Sequence, residues 1–202
     1  MPLVPSELQP DDVERLGRDG WFMRPQWLAA PAFARASGAA RGLEGFAVTG
    51  VGRGAAQHVH PAVRGDERVW LDDQTAPTGL LPVLLALDGL RLQLNREAFL
   101  GLHRTELQLS RFPKGGAHYQ RHRDSFQGRR GRRITAIYYL NEGWLPAQGG
   151  CLRLHLDAGL VDVSPVLNCL VVFQSEQVEH EVLCSRAARY ALTAWWSGSA
   201  VA

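Results

Sequence analysis

The chain has 202 residues, and its shares of 46% hydrophobic and 21% charged residues are typical of globular proteins. This composition excludes collagen, a coiled coil and a long disordered chain, and the formal net charge of +2 is too balanced to indicate nucleic acid or an anionic membrane as the main partner. The most apolar stretch, residues 80–94, is interrupted by Pro82, Asp88 and Arg91 and is too short to cross a bilayer.

The first half of the chain mixes helices with irregular segments. Residues 10–19 predict a first helix, with Asp11 as a candidate N-cap, and the alanine-rich residues 27–40 predict a second. Residues 68–71 favour a short strand. Leucines at helical spacing then predict a third helix over residues 78–95.

From about residue 107 the apolar period changes to two, which is typical of strands. So many short strands separated by glycine-rich turns predict a mainly β sandwich or closed jelly roll, with the second and third helices packed on one outer face. The predicted strands are residues 106–112, 117–122, 134–140, 151–156, 160–163, 169–174, 178–184 and 189–196.

The cysteines and the N-terminus bear on location. Cys151, Cys169 and Cys184 form an odd, widely spaced set, which indicates reduced thiols. Because the first residues form no basic and apolar leader, we expect a cytoplasmic protein. The length suits one compact domain, in which we expect an N-terminal helical support region over residues 1–60 and a core over residues 61–202.

Three features of the second half suggest chemistry. His122 and Asp124 end a predicted strand and project to one side of it, His180 lies in a later strand, and Arg189 opens the last strand. Two imidazoles and a carboxylate form the facial triad of non-haem Fe(II) oxygenases. An arginine in the same barrel would bind the distal carboxylate of 2-oxoglutarate, and Tyr139 could add a hydroxyl donor.

Each of these signals is weak when taken singly. A lone histidine such as His180 is more often a hydrogen-bonded core residue, and a lone arginine is more often a surface charge. His58 and His60 form a competing pair at strand spacing, but no nearby carboxylate completes a site with them. The order of the signals and their strand context favour the oxygenase interpretation.

Several separated motifs occur in order over about residues 60–197 and together resemble one known family. They are Arg64-Gly65-Asp66 with Trp70, Arg111-Phe112-Pro113, His122-Arg123-Asp124, the segments 137–144 and 149–154, His180-Glu181-Val182 and the segment 189–195. This pattern resembles the prolyl-hydroxylase branch of the Fe(II)/2-oxoglutarate dioxygenases, which includes the hypoxia-sensing prolyl hydroxylases and bacterial relatives.

The resemblance implies a double-stranded β-helix, a cupin-like jelly roll supported by N-terminal helices, with residues 61–202 as the dioxygenase core. It also implies roles for individual residues. The metal ligands would be His122, Asp124 and His180, which with Arg189 form the catalytic set, and the cosubstrate would contact Arg189, Tyr139, Thr193 and Tyr119. Apolar walls are expected from Ile137, Leu154, Val172, Leu192 and Trp195.

A substrate loop is implied as well. Arg64, Asp66 and Trp70, together with Arg132, would belong to a mobile loop that closes over a peptide, with Asp66 pairing with Arg132 or Arg133 in the closed state. One departure is Phe112, which stands where the hypoxia-sensing enzymes carry a tyrosine and removes a hydroxyl near the cosubstrate.

The expected function is Fe(II)- and 2-oxoglutarate-dependent hydroxylation of a prolyl residue in an exposed loop of a protein, consuming O2 and releasing succinate and CO2, with ascorbate as reductant. The resemblance to bacterial relatives implies elongation factor Tu as a candidate partner, and no nucleic acid or membrane partner is expected. Two alternatives stay open: the same cofactors acting on a free amino acid or small metabolite, and a catalytically silent cupin-like binding module. The sequence leaves the oligomeric state undecided.

Overall fold

The computed structural model describes residues 7–48, 63–72, 75–125 and 131–198, and within these residues it contains three α-helices and eleven strands. The helices are α1 (Pro10–Arg18), α2 (Ala32–Gly42) and α3 (Leu81–Ala98). The strands are β1 (Trp21–Arg24), β2 (Ala47–Val48), β3 (Glu67–Leu71), β4 (Leu102–Phe112), β5 (Ala117–His122), β6 (Arg132–Tyr139), β7 (Leu152–Leu156), β8 (Gly159–Val163), β9 (Leu170–Gln174), β10 (Glu179–Ser185) and β11 (Arg189–Gly198).

The strands form two antiparallel sheets. The large sheet has the order β1-β9-β6-β11-β4-β3-β2, and the small sheet has the order β5-β10-β7-β8. Apolar residues from both sheets share one core, which includes Ile137 and Val171 from the large sheet and Leu154 and Val182 from the small one. Two facing antiparallel sheets confirm the double-stranded β-helix expected from the sequence.

The helices cover the other face of the large sheet. Strand alternation decides which side chains serve which core: Ile134, Ala136 and Tyr138 of β6 pack toward the helices, whereas Ile137 and Tyr139 face the small sheet. The predicted placement of the second and third helices on one outer face is confirmed. The large sheet thus leaves alternate residues free to build a cleft between the sheets.

The second helix begins later than its composition predicts, at Ala32 and not at residue 27. Trp27 and Leu28 are held outside the helix because their backbone N–H groups donate to Asn168, at 3.0 Å to its backbone oxygen and 2.8 Å to its side chain. Gln26 also has a positive φ of 51°, which a right-handed helix cannot accommodate. Tertiary hydrogen bonds therefore override the local propensity of these residues.

Asp11 does not cap the first helix. Gln9 precedes the helix, and its N–H donates to the carboxylate of Asp12 at 2.9 Å, so the acid that serves this terminus is one residue later than predicted. Asp12 also forms a bidentate ion pair with Arg24 of β1, which ties the helix to the sheet.

Two short strands of the N-terminal region were not predicted. β1 pairs with β9 through Trp21 opposite Phe173, and β2 pairs with β3 through Ala47 opposite Arg68, so residues of this region complete both edges of the large sheet. None of the helices in the described part of the chain combines the length and apolar character that crossing a lipid bilayer requires.

Candidate functional site

Three side chains at one end of the cleft bring their ligand atoms together. One ligand atom each from His122, Asp124 and His180 lies within 4.8 Å of the others. His122 and His180 are direct cross-strand partners on β5 and β10, and Asp124 follows β5 by two residues. The Nε2 atoms of His122 and His180 lie 3.7 Å and 3.8 Å from the two carboxylate oxygens of Asp124. This group has the composition of a facial triad for a non-haem iron.

Backbone carbonyls orient both imidazoles. Nδ1 of His122 lies 2.8 Å from the oxygen of Gln120, and Nδ1 of His180 lies 3.3 Å from the oxygen of Val178. A proton on each Nδ1 leaves the lone pair of each Nε2 available to bind a metal. Such an outer hydrogen bond is the usual device that sets the tautomer of a metal-binding histidine.

Asp124 is held by donors from the large sheet. Its Oδ2 accepts hydrogen bonds from Oγ1 of Thr135 at 2.8 Å and from the indole Nε1 of Trp195 at 2.9 Å. Burial alone would raise the pKa of Asp124, but the imidazoles of His180 and His122 and the N–H of Trp195 hold it well below its usual range. The carboxylate is therefore ionised and fixed in orientation, as a metal ligand must be.

His180 is the more deeply buried of the two histidines, packed 4.7 Å from the ring of Phe173. Desolvation lowers the pKa of His180 to about 4, against the opposing charge of Asp124. The ring is consequently neutral near pH 7 and able to donate its lone pair to a metal.

The other end of the cleft contains a buried cation and a buried hydroxyl. Arg189 is fully buried; its Nε donates to the oxygen of Gly150 at 2.9 Å, and no carboxylate in the described part of the chain forms an ion pair with it. The hydroxyl of Tyr139 is buried without a hydrogen-bond partner. The Arg189 guanidinium carbon lies 5.1 Å from the Tyr139 ring and 4.8 Å from the Phe112 ring.

These groups fit one end of a dicarboxylate. Burial raises the pKa of Tyr139, so its hydroxyl keeps its proton and can donate. Burial lowers the pKa of Arg189, yet a guanidinium remains charged in proteins. A buried hydroxyl without a partner and a buried guanidinium without an ion pair are both costly, and one carboxylate would satisfy them together. The pocket therefore has the donor set that the distal carboxylate of 2-oxoglutarate requires.

A single cleft joins the two ends. It holds about 630 Å³ of empty space, including its open mouth, and the predicted residues that line it are Arg64, Asp66, Trp70, Tyr119, His122, Asp124, Arg132, Ile137, His180, Arg189, Thr193 and Trp195. Tyr139 lies just beneath it, beside Arg189. The fold thus brings together residues that are distant in sequence.

The predicted substrate loop contacts the metal triad through stacked side chains. Arg64 forms a bidentate ion pair with Asp66, with two contacts of 2.7 Å, and its guanidinium lies 4.0 Å from the ring centre of Tyr119. Tyr119 in turn stacks on the His122 ring at 3.7 Å. A continuous series of side-chain contacts therefore joins the predicted loop to the metal ligand His122.

The opposite rim of the cleft is aromatic and basic. Arg132 binds Glu106 at 2.8 Å and lies 3.8 Å over the Trp195 ring, which is 5.9 Å from Trp70. The pairing of Asp66 with Arg132 concerns a closed loop and stays a prediction. So does the pairing with Arg133, whose guanidinium here donates to the oxygen of Leu100.

Three of the five expected wall residues do not line the cleft, and one of them, Leu154, is packed in the core between the two sheets. Val172 and Leu192 belong to the core between the large sheet and the helices, because neighbours along a strand face opposite sides. Thr135 and Ser175, which are hydrogen-bonded to each other at 2.8 Å behind Asp124, were not predicted. Only the period of β6, which places residue 135 on the same face as Ile137 and Tyr139, could have indicated Thr135. The competing pair His58 and His60 lies outside the described residues.

Comparison with known proteins identifies this arrangement. Residues 107–197 match the model of the 2OG-Fe(II) oxygenase superfamily. The human protein named prolyl hydroxylase EGLN3 is 35% identical over 142 residues, which is 66% of this chain and 59% of the relative. Human Egl nine homolog 1 is 33% identical over 143 residues, but only 33% of its length is covered. The chain thus spans less than two thirds of these curated relatives.

Solved structures extend the similarity to nearly the whole chain. A crystal structure of a Pseudomonas putida prolyl-4-hydroxylase has 35% sequence identity and a TM-score of 0.81, covering 93% of this chain and 97% of that one. A Trichoplax adhaerens prolyl hydroxylase, solved with a peptide fragment of the hypoxia inducible factor oxygen degradation domain, has 25% identity and a TM-score of 0.80, covering 92% and 87% of the two chains.

Proposed function

Because the chain belongs to the 2OG-Fe(II) oxygenase superfamily, we propose that it is an iron- and 2-oxoglutarate-dependent dioxygenase that hydroxylates a prolyl residue of a protein. One observation carries the proposal: the His122, Asp124 and His180 triad opens into the same cleft as the Arg189 guanidinium, beside which lies the unpartnered hydroxyl of Tyr139. A metal and a dicarboxylate could therefore be held side by side.

The residues divide the work between them. His122, Asp124 and His180 would bind Fe(II), and Arg189 with Tyr139 would bind the distal carboxylate of 2-oxoglutarate. With both groups bound, the site supplies the oxidant that inserts one oxygen atom of O2 into a C–H bond as 2-oxoglutarate becomes succinate and CO2. The chain itself orients the ligands and excludes water through its buried walls.

The form of the cleft favours a peptide over a small molecule. Its mouth is open, and Trp70 at the rim is 45% exposed, so an extended segment of another protein could reach the metal triad without entering a closed chamber. Aromatic rims suit proline rings, which pack on indole faces. The Trichoplax relative was itself solved with a peptide bound.

A finer proposal names elongation factor Tu as the substrate, and its support is the sequence resemblance to bacterial prolyl hydroxylases alone. The cytoplasmic location is proposed with it, supported by three free cysteines. Ascorbate as the reductant also stays a prediction. Incubating the enzyme with purified elongation factor Tu and mapping hydroxyproline by mass spectrometry tests the substrate directly.

The general test uses substrate capture. The Asp124→Ala variant, which loses one metal ligand, would be immobilised with 2-oxoglutarate, and proteins retained from a lysate would be treated with wild-type enzyme. We expect at least one retained protein to gain the mass of one oxygen atom on a proline, with equivalent succinate formed.

Two results would decide between the proposal and its alternatives. Succinate formed with a free amino acid but with no retained protein would assign the activity to a small metabolite. No conversion of 2-oxoglutarate under any condition would indicate a silent binding module. The Arg41→Gln variant, altered on the exposed surface of α2, serves as the control for immobilisation and handling.

A further inference from the structure

Arg68 is a cation of the cleft that the proposed chemistry does not use. It lies on β3 beside Trp70, with its guanidinium carbon 5.1 Å from the Trp70 ring centre. Alternation along β3 sends Val69 and Leu71 into the core beneath the helices, so Arg68 and Trp70 face the cleft. The side chain is half-buried, which places it in the wall and not in bulk solvent.

The charges around the cleft leave Arg68 without a matching acid. Arg64 is paired with Asp66 and Arg132 with Glu106. Arg189 lies at the far end, where 2-oxoglutarate would supply its carboxylate. No carboxylate in the described ranges forms an ion pair with Arg68, and among the residues outside them only Asp73 is acidic.

The surroundings make this unmatched charge unfavourable in the free protein. Desolvation lowers the pKa of Arg68, the nearby positive charge of Arg64 lowers it further, and the charge of Asp66 opposes these effects only in part. A half-buried guanidinium next to another guanidinium gains from any anion that enters the cleft. Since the proposed substrate is a protein, the anion that would match Arg68 is a carboxylate of that protein.

Contacts connect Arg68 to the reacting end of the cleft. Arg68 lies over Trp70, Trp70 lies 5.9 Å from Trp195, and Trp195 donates to Asp124. Because Arg68, Trp70 and Trp195 line the same cleft as the metal triad, a segment bound at the triad can contact Arg68. The register Arg68–Ser110–Ala191 places β3 two strands from β11, a distance of about 10 Å.

We propose that Arg68 selects substrates with an aspartate or glutamate side chain close in sequence to the hydroxylated proline. This inference rests on the proposed function and adds the substrate class. Because Arg68 and the metal triad line one cleft, the acid is expected within a few residues of the proline. Phe, Leu or an amide at that position would leave the Arg68 charge without a partner.

Short peptides with one central proline provide the test. One series moves a single aspartate through the flanking positions, a second has asparagine in its place, and a third has lysine. Binding is measured by fluorescence anisotropy with Mn(II), 2-oxoglutarate and no oxygen, and hydroxylation is measured separately by mass spectrometry. One further pair of peptides ends at the residue after the proline. One member has a free C-terminal carboxylate and the other an amidated C-terminus.

We expect wild-type protein to bind at least one aspartate peptide about five- to tenfold more tightly than its asparagine counterpart. Arg68→Gln should reduce the ratio to within about twofold, and Arg68→Glu should favour the lysine peptide at the same position. Arg41→Gln removes the same charge from the helical side of the protein and should retain the wild-type ratio.

Equal binding of every aspartate and asparagine pair by wild-type protein would overturn the inference, as would a preference that persists in Arg68→Gln. A preference confined to the free C-terminus would assign Arg68 to an α-carboxylate and reject the acidic side chain. Discrimination by binding with no hydroxylation of any peptide would refute the proposed function while leaving carboxylate recognition by Arg68 supported. Failure to bind any peptide would overturn selection by Arg68, whereas the proposed function would still be decided by hydroxylation of captured whole proteins.

Discussion

Trp195 donates its indole N–H to Oδ2 of Asp124 at 2.9 Å, so a residue at the rim of the cleft orients the carboxylate of the metal triad. The second donor to that oxygen is Thr135, which comes from the neighbouring strand β6. The acid is therefore fixed by the large sheet while both histidines come from the small sheet. The site depends on the two sheets keeping their separation.

Replacing Trp195 with phenylalanine should weaken metal binding about tenfold or more, because outer hydrogen bonds to metal ligands typically contribute 10- to 100-fold in affinity. Phenylalanine keeps an aromatic ring at the rim and removes only the N–H donor. Titration of the apoprotein with Mn(II), followed by electron paramagnetic resonance, measures the change. The matched control is Trp144→Phe, since the Trp144 indole donates to the backbone of Gly149 and not to the triad. Equal affinity in the two variants would contradict the positioning role of Trp195.

Tyr139→Phe should have opposite effects on stability and on ligand binding. Removing a buried hydroxyl without a partner should raise the free energy of unfolding of the unliganded protein by about 1 kcal/mol. Losing a donor to the distal carboxylate should weaken 2-oxoglutarate binding about tenfold. Urea unfolding and calorimetric titration measure the two quantities.

The neighbouring tyrosine provides the control for that experiment. Tyr138 faces the helices, and its hydroxyl donates to Oδ1 of Asn168 at 2.9 Å. Tyr138→Phe should therefore lower the free energy of unfolding by about 1 kcal/mol and leave 2-oxoglutarate affinity unchanged. If both variants change stability in the same direction, the Tyr139 hydroxyl has a partner in the unliganded protein.

The sequence predicts the central strands and the metal ligands of this site better than it predicts the edge strands and the residues that hold the ligands in place. The strand period and the His122 and Asp124 spacing identify the elements because each depends on local alternation. The edge strands β1 and β2 were missed, since four- and two-residue strands owe their pairing to the partner strand and not to their own pattern. Thr135 forms no motif with Asp124, because its contact depends on how the sheets face each other.

The free energy of unfolding should fall at alkaline pH because the buried thiol of Cys169 resists ionisation. Burial raises the pKa of its thiol to about 11, from an ordinary value near 9. The unfolded chain loses the Cys169 proton at a lower pH than the folded protein does. The contribution of the protonated thiol to the free energy of unfolding is therefore complete below about pH 9 and declines as the pH rises toward 11. Between pH 8 and 10 the loss should be about 1 kcal/mol.

Urea unfolding of wild-type protein and Cys169→Ala at both pH values isolates this effect. The alanine variant should be less stable at each pH because a cavity forms, but its decline between the two should be smaller by about 1 kcal/mol. Cys184→Ala is the control, since this thiol is exposed. An identical decline in all three proteins would show that the Cys169 thiol does not titrate differently on folding.

Gly150 supports Arg189 directly, and replacing it with alanine should impair cosubstrate binding. Its φ is +67°, and an added Cβ would lie 2.9 Å from Oγ of Ser185 and 3.2 Å from Cδ of Arg189. Gly143 has a similar φ of +60° with open space around it, so Gly143→Ala has only the backbone penalty of roughly 1–2 kcal/mol.

We expect Gly150→Ala to show that loss of stability together with weaker 2-oxoglutarate binding, whereas Gly143→Ala should keep the wild-type dissociation constant. Because the two positions have similar positive φ angles, a difference in 2-oxoglutarate affinity between them reports the contacts of the added Cβ with Ser185 and Arg189. Unchanged affinity in Gly150→Ala would mean that the guanidinium does not depend on this close packing for its position.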